Sequence, residues 1–382
     1  MTYLFVIESF GAGGAERSLV ELLPRLSASG IRVVVACLYR REVGFEEEAL
    51  QAGAEVRFLS GKGRWGRIRS LRHLVGEIDP DLVYTSLFEA DLVGRLATIG
   101  LPVPVMCNLA NTAYDPARLA DPNVSKWRLQ VVRLVDRVLG RFRTHHFHAV
   151  SQAVKDSTVA TLGIPPEKIT VVYRGRDLRR IGERSPQRRR QVRQRLAIDE
   201  ATEMVVTVGR QEYQKGHIHL VGAFARVVAD RPNARLYIVG RDGHMSGAIR
   251  QRITQLGLES AVSLLGHRAD VTDIVAAADL FVFPSLYEGL GGALLEALAL
   301  GMPVVVSDIP ALREVVEAGG NGDLVAPGDE DGLAQAISGL LADPERRERY
   351  GRRSFEIFAE RFDADENAQR FVELLAAVAR RH

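Results

Sequence analysis

Two acids, two cations and a run of glycines stand at spacings that suit the handling of a diphosphate. The stretch Glu288-Gly-Leu-Gly-Gly-Ala-Leu-Leu-Glu296 follows an apolar run, Asp279-Leu-Phe-Val-Phe-Pro284, that reads as a buried parallel strand. It leads into Ala297-Leu-Ala-Leu-Gly301, which reads as helix. Glu288 then occupies a glycine-rich strand-to-helix loop, with Glu296 about two helical turns further on, near the same face. The backbone N–H groups of Gly289, Leu290, Gly291 and Gly292 would line such a loop at a helix N-terminus, where negative charge is favoured. Upstream, Gly209-Arg210 falls just past the carboxyl end of a strand-like run, and Lys215 follows in the same loop. Arginine offers a planar fork for two oxygens and lysine a movable point charge, so the pair can neutralise a diphosphate leaving group without a bound metal. A diphosphate with hydroxyl groups on both sides accounts for glycines, cations and carboxylates together, and a nucleotide-sugar has that chemistry. The plainer alternative, a capping acid and a solvated helix acid, leaves the glycines and the upstream cations unexplained.

Other candidate motifs are weaker. Gly11-Ala-Gly13-Gly14-Ala-Glu16 follows the first strand and opens a helix, but Glu16 takes the place of the third glycine of a dinucleotide fingerprint. Cys37-Leu38-Tyr39 ends the second strand where a ribose-binding acid would be needed. A close backbone approach of Gly13 and Gly14 to phosphate or acceptor is the better reading, and the oxidoreductase reading falls. His145, His146 and His148 alternate faces on a strand and have no acidic or cysteine partner close in sequence, so no metal site is expected. Asp79-Pro-Asp81 reads as a turn.

The pattern Pro284-Ser-x-x-Glu288-Gly-x-Gly-x-x-x-Leu-Glu296-Ala resembles the signature of family 4 retaining glycosyltransferases, which have the GT-B fold. The likeness continues in Gly209-Arg210 with Lys215-Gly216, in Val239-Gly240-Arg241-Asp242-Gly243, in Gly301-Met-Pro303-Val-Val-Val-Ser307-Asp308 and in Gly13-Gly14-Ala15-Glu16. It therefore covers nearly the whole chain. It implies a metal-independent hexosyl transfer, with retention, from a nucleotide-diphospho sugar to a hydroxyl acceptor. A UDP-sugar is expected ahead of a GDP-sugar, as co-substrate, with no cofactor. The acceptor would be a saccharide, a lipid-linked molecule or a small molecule.

Residue by residue, the resemblance puts Arg210 and Lys215 on the donor diphosphate and Glu288 beside the donor sugar, these three being catalytic. Glu296 would accept the ribose hydroxyls, and the amides of Gly289 to Gly292 would contact sugar and phosphate. A base is expected near Gly240 and His267. One departure stands out: Ala110 occupies the place where the family commonly carries a histidine, so Asn108 or Asn111 would supply polar contact instead. Glu89 either lines the acceptor side or caps the helix that begins near Ala90. An epimerase or phosphorylase on the same fold is a competing reading, and it needs its own acid/base carboxylates or a cofactor lysine in a chain with five lysines. A non-catalytic sugar-nucleotide binder is another, and it would be expected to have lost Arg210, Lys215 or Glu296.

These residues require a scaffold of alternating elements. Strand-like runs at 3–8, 33–38, 55–59, 82–85, 103–109, 146–149 and 169–172 alternate with helical spacing at 16–29, 44–52, 68–78, 90–99 and 125–141. A second set of strands is expected at 204–208, 236–239, 262–264, 280–283, 304–307 and 323–325. The alternation predicts an α/β protein of two doubly wound, Rossmann-like parallel-sheet domains facing a central cleft. Residues 1–173 would bind the acceptor and 174–361 the donor. A helix within 362–382, capped at Asp363, would cross back onto the first domain.

Ten arginines between Arg174 and Arg195 predict a solvated helix rather than a phosphate or membrane patch. The basic helix around Trp127 reads as a surface helix packing Leu129, Val132 and Val135 inward, with peripheral contact on anionic lipid as the alternative. With 46% hydrophobic and 26% charged residues the composition is that of an ordinary globular protein. A net charge of +2 is too small to imply nucleic acid. Cys37 and Cys107 form no disulfide framework, and no signal-like or spanning run is present. A cytoplasmic location is expected, with the inner membrane face as the site of any peripheral contact.

Overall fold

The computed structural model describes residues 1–11, 13–41 and 44–381, so Ala12 of the first glycine-rich turn lies outside it. The chain divides into two compact units, Met1–Gly175 with Asp363–His382, and Arg176–Phe362.

The first unit is built on seven strands: β1 Thr2–Ile7, β2 Arg32–Cys37, β3 Glu55–Phe58, β4 Leu82–Ser86, β5 Val105–Leu109, β6 His146–Ala149 and β7 Ile169–Val171. All neighbours are parallel, in the order β3-β2-β1-β4-β5-β6-β7. Helices cover both faces of such a sheet, which is why these strands read as continuous apolar runs. β5 begins at Val105, later than expected, because Pro104 has no N–H for the ladder. The Pro104 carbonyl still accepts from Val83 N at 3.0 Å. The helix Gly63–Ile78 starts earlier than expected. Gly61 and Gly66 make a close backbone contact there: a Cβ on Gly66 would lie 2.8 Å from the Gly61 carbonyl carbon.

The helix Ala364–Ala379 belongs to this first unit. Its Phe371, Leu375 and Val378 share one core with Tyr3, Phe5 and Tyr84. Asp363 caps it, with one carboxylate oxygen accepting from Asp365 N at 2.8 Å and Glu366 N at 3.2 Å.

The second unit carries β8 Glu203–Val208, β9 Ala234–Val239, β10 Val262–Gly266, β11 Leu280–Phe283, β12 Val304–Ser307 and β13 Gly322–Val325. This sheet is also parallel throughout, in the order β10-β9-β8-β11-β12-β13. Where the chain enters and leaves the unit, Arg176 N–H donates to the Phe362 carbonyl at 3.0 Å.

The arginine-rich helix Pro186–Arg195 is solvated on one side, where Arg190 and Arg195 are exposed, and packed on the other. Arg193, in the helix Pro186–Arg195, is fully buried. It donates to the carbonyls of Ala277 at 3.2 Å, Asp199 at 2.9 Å and Thr202 at 3.0 Å, and to Asp279 at 2.9 Å. Arg184 reaches the carbonyls of Ala276 and Ala278, and Arg189 that of Ala277. These carbonyls follow the short helix Val271–Ala276, whose last C=O groups have no partner within the helix. The arginines cap that end and tie it to the strand that follows, a local electrostatic role that composition alone does not reveal.

Removing one member of such a buried pair strands the other. Arg193→Met is expected to lower unfolding stability by about 3 kcal/mol, read as a fall in urea midpoint at unchanged slope.

Candidate functional site

In the second unit the strand order reverses between β8 and β11, and loops at the carboxyl ends of the strands meet beside this switch point. Lys215 arrives from the β8 side and Glu288 from the β11 side. Their side chains form an ion pair, with 18% and 8% of each exposed. Ser285 Oγ donates to the same Glu288 oxygen at 3.0 Å. The Lys215 ammonium also lies 5.1 Å from the centre of the Phe283 ring, within cation–π reach.

The two loops are stitched by backbone. Leu286 N donates to the Gln214 carbonyl at 2.8 Å, and Gln214 Nε2 to the Tyr287 carbonyl at 2.9 Å. Gly216 makes this approach feasible. Its φ is 63°, and a Cβ there would sit 2.0 Å from the Pro284 carbonyl oxygen.

Arg210 is more open, with 56% of its side chain exposed and its guanidinium 3.9 Å from Glu212. Gly240 follows β9, and its N–H donates to the Gly266 carbonyl at 2.8 Å. His267 is exposed just beyond β10. Gly289, Leu290 and Gly291 are buried, and Gly292 opens the helix Gly292–Ala299. The helical count between the two glutamates therefore needs correction: Glu288 stays in the loop, and Glu296 lies little more than one turn into the helix.

Glu296 has a partner that sequence reasoning missed. Arg176, 2% exposed, donates from Nε to Glu296 Oε1 at 3.2 Å. Gly292 leaves room for that guanidinium, since a Cβ would come within 2.3 Å of Arg176 Nη2. The two residues are 120 positions apart, and nothing in local spacing links them. Ser285 was visible inside the motif, but its hydrogen bond to Glu288 was not.

The remaining candidates belong to the first unit, whose sheet reverses between β1 and β4. Gly13 precedes and Gly14 begins the helix Gly14–Ala28. Glu89 stands in the first turn of the helix Phe88–Ala97, and its carboxylate accepts from Tyr39 OH at 2.6 Å and Arg67 at 3.2 Å. Asn108 Nδ2 donates to Ser86 Oγ at 2.8 Å, while its buried Oδ1 has no hydrogen-bond partner among the described residues. Asn108 lines a cavity of about 90 Å³ together with Ile7, Glu16, Ser86, His148 and Phe371. Asn111 turns back on its own chain, its Oδ1 accepting from Thr112 N at 2.8 Å.

The histidines around β6 each serve the sheet. His145 Nδ1 accepts from Val105 N, His146 meets Thr170 Oγ1, and His148 bridges Tyr84 OH and the Val172 carbonyl. Burial pushes the His148 imidazole down to about 4, so it is neutral and its Nε2–H donates to Val172. Among the described residues no group of three His, Cys, Asp or Glu side chains is placed to hold a metal ion.

Two Rossmann-like parallel-sheet units, one with the Lys215–Glu288 pair at its switch point, have the architecture of the GT-B glycosyltransferases to which the chain is similar. Residues 12–180 match Glycosyltransferase Family 4, and residues 188–356 match Glycosyl transferases group 1. The α-maltose-1-phosphate synthase of Mycolicibacterium smegmatis is 30% identical over 318 residues, 78% of this chain and 79% of that protein. A glycosyltransferase of Methanocaldococcus jannaschii is 32% identical over 197 residues, 51% of this chain and half of that protein's length. Anabaena HepE, solved in complex with UDP-glucose, matches 99% of this chain and 100% of its own, with TM-score 0.87 and 27% identity. The chain belongs to the family 4 glycosyltransferases.

His217, next to Lys215-Gly216, opens the helix His217–Asp230 and is 2% exposed. Burial, reinforced by the Lys215 charge, pushes its imidazole down to about 3. The unfolded chain, with an ordinary imidazole near ~6.5, binds the extra proton first. This contribution to stability is thus present above that value and lost as pH falls toward 3. Between about pH 7 and 5 the stability loss of the wild type should exceed that of His217→Gln by on the order of 2 kcal/mol in urea titrations.

Proposed function

We propose that this glycosyltransferase moves a hexosyl group from a UDP-sugar to a hydroxyl acceptor, with retention at the anomeric carbon and without a bound metal ion. The observation that carries this reading is the convergence of Lys215, Glu288 and Ser285 between β8 and β11, with Arg210 exposed earlier in the loop that carries Lys215. UDP-glucose in the complex of Anabaena HepE supports a uridine donor. The proposed donor site comprises Arg210, Lys215, Gly240, His267, Glu288, the loop Gly289 to Gly292 and Glu296.

In the proposed step the acceptor oxygen attacks the anomeric carbon on the face from which the diphosphate departs. The bond from that carbon to the phosphate oxygen breaks as the new glycosidic bond forms. The acceptor proton passes to the departing phosphate, whose growing charge is met by Arg210 and Lys215. Glu288 fixes the Lys215 ammonium and places negative charge near the sugar, and it is not a covalent nucleophile. Glu296, oriented by Arg176, accepts the ribose hydroxyls. Acceptor recognition is assigned to residues 1–173, including Glu89, Asn108 and Asn111, and the compartment to a cytoplasm that suits two buried cysteines outside any disulfide.

The two cations should separate in experiment. Arg210→Ala removes an exposed side chain and should leave the melting temperature within about 1 °C while kcat/KM falls roughly ten- to a hundredfold. Lys215→Ala should lose similar activity and also stability, because Glu288 is left buried without its ammonium. Equal turnover in wild type and both variants would refute the diphosphate assignment.

Donor choice is read by thermal shift: UDP-glucose should raise the melting temperature by mass action, and GDP-mannose should not. Proton NMR of the product formed with the best donor should show the donor's anomeric configuration, with undiminished rate in EDTA. An inverted product, or a rate abolished by chelation and restored by a divalent ion, would overturn the mechanism.

A further inference from the structure

The helix Lys126–Arg143, between β5 and β6, has one face packed and the opposite face apolar as well. Leu129 and Gly140 are its buried residues. On that same side Asp136 takes the Arg95 guanidinium and the Tyr114 hydroxyl. Across the helix Trp127, Val131, Leu134, Val138 and Phe142 recur at the spacing of a single helical stripe. They are 66, 52, 62, 47 and 72% exposed. Val135, expected inward, stands beside them at 37%. A continuous row of large apolar side chains in water marks an interaction surface rather than a scatter of single residues.

Charge selects the occupant. The helix carries Lys126, Arg128, Arg133, Arg137, Arg141 and Arg143 against one acid, Asp136, which is already committed to Arg95. Lys126, Arg128, Arg137 and Arg141 are exposed and flank the stripe. We propose that this face docks in the plane of an anionic lipid bilayer, with the stripe at the boundary of headgroups and acyl chains and the cations on the phosphates. A second copy of the chain apposing the same face would bring two sets of cations together, which is repulsive. Among the described residues no helix is long and apolar enough to cross a membrane, so the docking is superficial. This inference is independent of the donor chemistry and is tested without any turnover assay.

The whole protein is floated with vesicles of phosphatidylcholine alone or mixed with phosphatidylglycerol. Binding is expected to the mixed vesicles at low salt, at least about tenfold weaker at high salt or on phosphatidylcholine alone. A W127S/L134S/F142S variant should bind at least about tenfold less, and R137E/R141E likewise. Both should melt as the wild type does, since all five side chains are exposed. In W65F, where Trp127 is the sole tryptophan, emission should shift to the blue on mixed vesicles. Absence of flotation at low salt, or equal flotation of the triple variant, would overturn the proposal. So would a vesicle-negative wild type that forms a dimer, or captures an acidic protein, through the same stripe.

Discussion

The ion pair between Lys215 and Glu288 is the interaction on which the second unit's site depends. Each residue lies in the loop that follows a different strand of one sheet, and the two meet where the strand order turns back on itself. An ammonium and a carboxylate so nearly buried cost solvation that only mutual contact and further hydrogen bonds offset. Ser285, the Phe283 ring and the backbone stitches through Gln214 provide that surrounding. The pair thus fixes the relative position of two loops, and with it the direction in which the β8 loop presents positive charge. Gly216 is the steric condition for the arrangement, because any Cβ would strike the Pro284 carbonyl.

A second theme is the use of arginine as structural cement. Arg176 seats Glu296, Arg95 holds Asp136, and Arg184, Arg189 and Arg193 gather carbonyls at one helix end. A planar fork with several donors can satisfy orphan C=O groups from different segments at once, which a lysine ammonium on a flexible stem does less well. Part of the basic character of residues 174–195 is therefore directed inward, while Arg179 and Arg195 stay exposed, whereas most of that of the helix Lys126–Arg143 is directed outward.

The contrast explains what was legible in the sequence. Strands buried on both faces announce themselves as apolar runs, so the order of elements could be read, with shifts where Pro104 removes a donor or where Gly61 and Gly66 touch. The loop containing Glu288 was legible because glycine, acid and helix start lie in one local stretch. The Arg176–Glu296 contact was not, since only the tertiary fold brings those segments together. The inward side of the helix Lys126–Arg143 was also ambiguous. Apolar residues lie on opposite sides of it, and periodicity alone cannot say which side meets the sheet. Arginines in a row look solvated unless the carbonyls they cap are in view.

The path of the chain has a consequence for biosynthesis. Residues 176–362 form an insert whose two ends are joined by the hydrogen bond from Arg176 to Phe362. The core around Tyr3, Phe5 and Tyr84 is completed only by Phe371, Leu375 and Val378. A ribosome therefore releases every residue of the insert before it delivers the plug for the portion made first. Until then that earlier portion carries an uncovered apolar face, the natural target for a holding chaperone, while the later portion is free to close on its own.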